Sequence, residues 1–328
     1  MKNEPSSSLA SLLVVGIVWY SSSCIATTTT KVIMQKNILT KLQLLVSQMI
    51  FSIIYLNLFG ITGLINLNIK MDKIKTLKLP FLYITLAYIS GFILLQMGLQ
   101  MVSVSFAVTC RGFEPVITCL LSLIFLSEKI TTFQWIAVLV IVIGVSFCAG
   151  SDKSWTTIGI IVLFFCDVSF SCRSLFVKFL HQKTNSLKLN KVSGENIYYV
   201  TCIFASIILL FILIAEKLYN DYESVSLLNI STGVYQLTNH YAILAANSAC
   251  FTLYNAASYI MLGKIRMSYH AVLNSVRQVV VISFSVIIFG TSLSGSNVFG
   301  IILVAVGVAT YSIFKQNKKD SSSVKMIN

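Results

Sequence analysis

The sequence predicts an all-α membrane protein with ten transmembrane helices, arranged as two inverted repeats of five helices. Its 328 residues are 56% hydrophobic and only 11% charged, which is too little charge to cover a soluble protein of this length. The apolar residues form ten runs, each near the ~20 residues that a helix needs to cross a bilayer. A similarity between two pairs of these runs predicts the repeat.

The ten runs are separated by short polar loops, and the third and fourth are divided on length alone. The first run is about 25 residues long and has no clear cleavage site, so we interpret it as a span rather than a signal peptide. The runs cover residues 9–34, 42–66, 79–101, 104–126, 132–150, 156–180, 197–216, 240–263, 268–290 and 296–314.

The basic residues predict the orientation of the spans. Cytoplasmic loops of membrane proteins carry an excess of Lys and Arg. With a cytoplasmic N-terminus, 16 of the 24 basic residues fall in cytoplasmic loops, four within spans and four on the other side. We therefore expect both termini in the cytoplasm, and we interpret the net charge of +13 as topology and not as nucleic-acid binding.

Two pairs of spans resemble each other. Residues 121–149, LSLIFLSEKITTFQWIAVLVIVIGVSFCA, align with residues 284–312, FSVIIFGTSLSGSNVFGIILVAVGVATYS. The alignment places Gly144 opposite Gly307, although any two apolar hairpins share some likeness. The fourth and fifth spans thus match the ninth and tenth.

This match predicts the domain organisation. Because five is an odd number, the second set of helices enters the membrane inverted, an arrangement that is typical of transporters. We expect residues 1–150 to form the first five-helix repeat. We expect residues 151–328 to form the second, which ends in a short basic cytoplasmic tail.

Three arginines lie deep inside predicted spans, where an ionisable side chain is costly and indicates a functional site. Arg111, Arg173 and Arg277 are each at least seven residues, or about 10 Å, from the end of the span. Lys31 is near the end of the first span, where it either snorkels to the interface or faces the same cavity.

The acidic residues in the spans do not balance these cations. Glu114 and Asp167 are the two acids there, so the four cations leave a charge of +2. Such a cavity predicts a mobile anion, and guanidinium forks match phosphate oxygens bidentately. In the alternative, structural interpretation, Arg111 pairs with Glu114 three residues on. Asp167 then pairs with Arg173, and Arg277 is left without a carboxylate.

Other features predict packing rather than chemistry. Tyr254 is, by itself, a typical core tyrosine, and Asn255 and Asn274 equally suit contacts between helices. The eight cysteines are spread singly through apolar runs, which indicates neither disulfides nor a metal site. The sequence contains no nucleophile–base pair and no phosphate-binding glycine loop, so we expect neither an enzyme nor a bound cofactor.

Four segments carry a resemblance to a known family. They are TTTTKVIM at 27–34, VSFAVTCRGFEPVITCLLS at 104–122, SFSCRSLFVK at 169–178 and LYNAASYIMLGKIRMSYHAVLNSVRQVVVI at 253–282. The first retains Lys31, and the second places Arg111 before a Glu-Pro pair. These motifs are similar to those of the triose-phosphate transporter family of the drug/metabolite transporter superfamily, which also contains nucleotide-sugar transporters.

The resemblance implies roles for individual residues. In plastid members of the family, the equivalents of Arg111 and Arg277 bind phosphate. The equivalents of Arg173 and Tyr254 contact the phosphorylated carbon skeleton, which makes Tyr254 a ligand contact rather than a core residue. The candidate substrate-binding residues are thus Arg111, Arg173, Tyr254, Arg277, Lys31 and Gln278.

Two positions depart from the family pattern. Gln278 stands where the second residue of a Lys-Arg pair is usual, so one phosphate charge is missing. Phe92 stands where the plastid members have a histidine. Both departures concern specificity for triose phosphate rather than binding of an anionic phosphate group.

The expected function is antiport of a phosphorylated organic anion, such as a sugar phosphate or triose phosphate, against inorganic phosphate or another phosphate ester. The alternative is exchange of a nucleotide sugar for a nucleoside monophosphate in the Golgi or endoplasmic reticulum. The missing second basic residue, a leader too short for a transit peptide and the sequon at 229–231 favour this alternative. A transport-inactive scaffold or receptor is a third class. The expected location is an endomembrane or a plastid-type organelle membrane.

The predicted topology is directly testable. Epitope tags at residues 1 and 328 should both be accessible to antibody after selective permeabilisation of the plasma membrane, because the charge bias retains both ends in the cytoplasm. A tag in the loop around Lys153 is the matched control and should stay protected. Protection of either terminal tag would overturn the number of spans or their orientation.

Overall fold

The computed structural model of the protein describes residues 9–36, 38–67, 71–102, 107, 110–128, 130–149, 156–187, 189, 192–223, 241–289, 295–296, 298–307 and 310–311. In this part of the chain, the regular elements are α-helices. The helices are α1 (Leu9–Gln35), α2 (Lys41–Ile61), α3 (Met71–Thr76), α4 (Lys78–Met101), α5 (Glu114–Leu126), α6 (Thr132–Ala149), α7 (Thr157–Ser186), α8 (Gly194–Glu223), α9 (Tyr241–Lys264), α10 (Met267–Phe289) and α11 (Val298–Gly307).

The all-helical prediction is confirmed, and each predicted apolar run contains a helix. Among the described residues, five helices are long and apolar enough to cross a membrane: Ser11–Met34, Lys41–Ile61, Lys78–Gly98, Thr157–Ser186 and Gly194–Glu216. The segments Glu114–Leu126, Thr132–Gly144 and Val298–Gly307 are shorter apolar helices. The chain is therefore a multi-pass membrane protein, while the number of ten spans and their inverted repeat stay predictions. The sequon at 229–231 lies outside the described residues.

A turn at Gly112 and Phe113 interrupts the fourth apolar run just before its long helix, α5. α5 begins at Glu114 and has Pro115 in its first turn, where the missing N–H of proline costs no helical hydrogen bond. Just before it, Phe113 N donates to Cys110 O over 3.1 Å and closes a turn. Arg111 lies on the helical residues just before this turn, three residues ahead of α5.

The helices pack into two compact units. The first unit comprises Met1–Ile89 and Phe176–Lys264, and the second comprises Ser90–Leu175 and Ile265–Asn328. α4 and α7 each contribute one part to either unit. Both units thus combine segments that are distant in the sequence, and the predicted division into repeats at residue 150 stays a prediction.

In the first unit, α9 packs against α1, α2 and α8. Asn247 of α9 is fully buried. Its Nδ2 donates to Ala26 O and Thr30 Oγ1 of α1, at 3.0 and 2.8 Å. Its Oδ1 accepts from Gln48 Nε2 of α2 at 2.8 Å. One amide side chain therefore fixes the register of three helices.

In the second unit, the two glycines that the sequence repeat aligns lie at close contacts between α6 and α11. A Cβ atom on Gly144 would be 2.8 Å from Gly300 O and from Val304 N. A Cβ atom on Gly307 would be 2.9 Å from Ala137 O. Both positions require glycine because the facing atoms are backbone, which cannot move aside like a side chain.

Glu128 tethers the beginning of α10, which also packs against α5 in the second unit. Its carboxylate accepts from Ser268 Oγ at 2.8 Å and from Met267 N at 3.3 Å. An anion at a helix N-terminus satisfies free backbone N–H groups and complements the helix dipole. The contact holds α10 against the segment that follows α5.

The polar contacts of Asn247 predict a large effect of its removal. Asn247→Ala leaves the buried Gln48 amide without this acceptor, and we expect a loss of about 1–2 kcal/mol in the free energy of unfolding. The measurement is thermal unfolding of the purified protein in detergent. Asn57→Ala is the matched control, because Asn57 of α2 also makes hydrogen bonds but is exposed. Equal melting temperatures for the two variants would contradict the assignment.

Candidate anion-binding site in the second unit

Five polar side chains of the second unit form one connected network. Glu114 Oε2 lies at its centre and accepts from an Arg111 terminal N–H at 2.9 Å and from Asn274 Nδ2 at 2.8 Å. Asn274 Oδ1 in turn accepts from Arg277 Nε at 2.9 Å. On the other side, Arg111 Nε lies 3.6 Å from Asp167 Oδ1. Two arginines and two acids are thereby linked through one asparagine.

Helical spacing explains how the sequence positions these groups. Residues three apart lie on the same face of a helix, which brings Asn274 next to Arg277 on α10. The turn before α5 brings Arg111 onto Glu114, whose position in the first turn is favourable for an acid. The packing of α10 on α5 then closes the network between the two helices.

Phe170 of α7 is shared by two arginines. The guanidinium carbon of Arg111 lies 4.8 Å from the ring centroid, and that of Arg173 lies 5.6 Å from it. At these distances, the electron-rich ring face attracts a cation. Phe92 of α4 packs edge-on against the same ring, with centroids 5.2 Å apart. The shared ring thus places Arg173 beside the network through a cation–π contact.

A glycine makes room for this ring. A Cβ atom on Gly91 would be 3.0 Å from the ring of Phe170. The backbone carbonyl of Gly91 also accepts from the thiol of Cys166 at 3.3 Å. The close approach of α4 and α7 at this point therefore fixes the ring against which the two arginines lie.

The pairing differs in one respect from the structural alternative considered for the sequence. Arg111 does pair with Glu114, but Asp167 pairs with Arg111 instead of Arg173. Asp167 and Arg173 are six residues apart on α7 and therefore point about 120° away from each other around the helix axis. Among the described residues around Glu114, the guanidinium groups of Arg111, Arg173 and Arg277 outnumber the two carboxylates by one positive charge.

The arginines that carry this excess charge are at least partly buried, where an unbalanced charge is costly. The side chain of Arg111 is 15% exposed, and Arg173 is 6% exposed as a whole residue. Arg277 is half-buried, and its link to Glu114 through Asn274 supplies the polar partner that the sequence did not reveal. A guanidinium group has five N–H donors in a planar fork, and two parallel N–H groups of the fork match two oxygens of a tetrahedral phosphate.

Gln278 lies beside Arg277 on α10 and is 5% exposed. Neither its amide nitrogen nor its amide oxygen has a hydrogen-bond partner within the described residues. Buried polar groups are usually satisfied, and an exception indicates a strained or ligand-binding group. Gln278 therefore stays a candidate contact, as a neutral donor and acceptor.

The other two candidate residues belong to the first unit. Lys31 is half-buried on α1, next to Thr30, whose hydroxyl is bonded to Asn247 of α9. Tyr254 is half-buried on α9, seven residues or about 10 Å beyond Asn247, with its ring 5.3 Å from that of Phe251. Their roles as substrate contacts stay predictions.

The family model of the Triose-phosphate Transporter family matches residues 10–312. This chain belongs to the Triose-phosphate Transporter family. The resemblance that the sequence motifs carry is thus confirmed over nearly the whole chain, and the protein is a member of a family of membrane transporters.

Individual relatives in this family are plastid proteins. The chain is 29% identical over 259 residues to "Phosphoenolpyruvate/phosphate translocator 1, chloroplastic" of Oryza sativa subsp. japonica, which covers 79% of this chain and 60% of that one. It is 27% identical over 252 residues to "Triose phosphate/phosphate translocator, chloroplastic" of Spinacia oleracea, with coverages of 76% and 59%. The chain therefore spans about 60% of the length of these relatives.

A solved crystal structure shares the fold. It superposes with a TM-score of 0.67 at 12% sequence identity and covers 94% of this chain and 99% of its own. At this identity, the likeness extends to the path of the helices and not to the chemistry of the site. The family member described here thus has a fold that is also present in an experimental structure.

Two parts of the network were not predicted from the sequence. Asn274 was equally compatible with a simple contact between helices, and it is also the link between Arg277 and Glu114. Phe170 was one apolar residue among many in its span. Phe170 is three residues from both Asp167 and Arg173, so its ring lies between these two side chains around the helix axis. This spacing is the sequence feature that could have indicated its role.

Proposed function

We propose that this chain is an antiporter that exchanges a phosphorylated organic anion for inorganic phosphate or another phosphate ester by alternating access. The observation that carries the proposal is the excess of guanidinium groups over carboxylates around Glu114, inside a multi-pass membrane protein. The relatives support it, because they are named as translocators of triose phosphate or phosphoenolpyruvate and phosphate.

Arg111 and Arg277 are the proposed phosphate ligands. Both are tied to Glu114, directly or through Asn274, so their guanidinium groups are oriented before an anion arrives. Preorganised donors need little rearrangement on binding. Arg173, held by Phe170, is the proposed contact to the rest of the substrate, together with Tyr254, Lys31 and Gln278.

A second candidate function is exchange of a nucleotide sugar for a nucleoside monophosphate across a Golgi or endoplasmic reticulum membrane. Gln278 favours it, because a buried amide with both polar atoms unpartnered in the described chain suits the donor and acceptor groups of a base or sugar. The proposed location is accordingly an endomembrane or a plastid-type membrane, with both termini in the cytoplasm.

Liposome reconstitution separates the two candidates. Vesicles are preloaded with inorganic phosphate, a triose phosphate, a nucleoside monophosphate or buffer, and uptake of radiolabelled phosphate and, in parallel, of a radiolabelled nucleotide sugar is measured. The phosphate-antiporter proposal expects uptake with the first two internal substrates. Uptake driven by the nucleotide alone would favour the second candidate, and uptake in none of the vesicles would contradict both.

The excess charge predicts obligatory exchange. An empty site carries an uncompensated buried cation, so closing it in the membrane is penalised, while a bound anion removes the penalty. Uptake into buffer-filled vesicles should therefore be at least about tenfold slower than into phosphate-loaded vesicles, which corresponds to roughly 1.4 kcal/mol. Equal rates would show that the charge does not govern the transport cycle.

Arg277 provides a direct test of the phosphate site. Arg277→Ala removes a charge-assisted contact worth about 1.5–3 kcal/mol, so the affinity for inorganic phosphate should fall roughly ten- to hundredfold. Arg277→Lys retains the charge but loses the fork, and its affinity should be intermediate. The measurement is isothermal titration calorimetry on detergent-purified protein, with melting temperature as a check of folding.

Arg266→Ala is the matched control for Arg277. Arg266 lies one residue before α10 and is exposed, whereas Arg277 lies within α10 and is half-buried. Its removal should leave phosphate affinity within about twofold, because exposed charges interact weakly. A well-folded Arg277→Ala protein with unchanged phosphate affinity would remove Arg277 from the site.

A further inference from the structure

Asp167 is the least satisfied charged group of the network. It is fully buried, and neither carboxylate oxygen has a hydrogen-bond partner among the described residues. Its contact with Arg111 Nε, at 3.6 Å, is longer than a hydrogen bond. Glu114 holds the same guanidinium at 2.9 Å and receives a second bond from Asn274. The two acids therefore compete for one arginine, and Glu114 has the better contacts.

We propose that Asp167 takes up a proton when a phosphate dianion binds at Arg111, so that substrate and proton bind together. This inference rests on the proposed function. The proton comes from solvent and adds to a carboxylate oxygen of Asp167, and no other bond is made or broken. The established membership in a transporter family assigns no such role to this residue.

Charge balance is the first argument. With both acids ionised, the network together with the neighbouring Arg173 has one excess positive charge, and a bound dianion converts it to one excess negative charge. Protonation of Asp167 makes the complex neutral. A neutral complex is the least costly to enclose in a membrane, because every uncompensated charge there loses hydration.

Competition for Arg111 is the second argument. A phosphate bound to this guanidinium brings negative charge close to Asp167 and shares its single ionic partner. A nearby like charge favours the neutral form of a carboxyl group. Glu114 retains the hydrogen bond from the Asn274 amide when Arg111 turns towards the ligand, whereas Asp167 has no such second donor among the described residues.

Among the described residues, two charged side chains and two thiols lie near Asp167. Arg111 and Glu114 face it from the segment at the beginning of α5, and the thiol of Cys110 lies within electrostatic range on that segment. On its own helix, Cys166 is adjacent to it. Arg111 and Glu114 are the permanently charged side chain and the carboxylate near Asp167, so they have the largest influence on its state.

The test is the number of protons bound together with phosphate. Inorganic phosphate is titrated into the detergent-purified full chain by calorimetry at about pH 8.5, where the phosphate is a dianion. The titration is repeated in three buffers of different ionisation enthalpy, and the slope of heat against that enthalpy gives the proton count. We expect about one proton for the unmodified protein. The affinity should correspondingly rise up to tenfold for each unit by which the pH falls.

Asp167→Asn should bind phosphate with a proton count near zero. Glu195→Gln is the matched control, since Glu195 is a half-buried acid of the first unit outside the network, and its count should stay near one. A count of zero in the unmodified protein would overturn the inference and leave the proposed function intact. An unchanged count in Asp167→Asn would also overturn it, because the proton would then reside elsewhere, for example on phosphate. Failure to bind phosphate at all would instead contradict the proposed function.

A second measurement does not depend on the folding of a variant. Infrared difference spectra of the unmodified protein, recorded with and without phosphate, should show a new band of a protonated carboxyl group. The absence of that band at saturating phosphate would overturn the inference.

Discussion

The carboxylate of Glu114 is the contact on which the candidate site depends. It is 4% exposed and accepts two hydrogen bonds, from Arg111 and from Asn274. Through Asn274 it also determines where Arg277 lies. In a medium of low dielectric constant, such a bond is strong, and its loss leaves charged groups unsatisfied. One acid thus organises two cations from different helices.

The site depends equally on how closely certain helices approach. Gly91 allows the ring of Phe170 to pack against α4, and this ring then lies against Arg111 and Arg173. At the beginning of α10, Glu128 holds the backbone that leads to Asn274 and Arg277. Apolar packing and helix capping therefore position groups whose own interactions are electrostatic.

The acids give the site a charge that differs from a simple count of arginines. Asp167 and Glu114 reduce three guanidinium charges to one excess charge, which is less than a phosphate dianion carries. Protonation of Asp167 removes this difference when a dianion binds. The identity of the substrate and the number of protons that accompany it are therefore separate properties of the site. Gln278 is neutral, so it adds no positive charge at a position where a basic residue would add one.

The sequence by itself determined the class of the protein, the course of its helices and the family. Apolar runs of about 20 residues have few alternatives to helices in a membrane, because every backbone polar group must be satisfied internally. The same reasoning marked Arg111, Arg173 and Arg277, since a cation in such a run is costly. These signals are local in the sequence, so they can be recognised without knowledge of tertiary contacts.

What only the tertiary structure decided is which groups meet. Glu114 and Asn274 are 160 residues apart in the chain, and no local pattern indicates that they share a hydrogen bond. The choice of Asp167 between Arg111 and Arg173 follows from the packing of α7 against the beginning of α5, which sequence spacing alone does not specify. Likewise, the turn that brings Arg111 onto Glu114 is not visible in the apolar pattern of the run. Contacts of this kind depend on side-chain direction and on distances of a few ångströms, and these are properties of packed helices rather than of the order of residues.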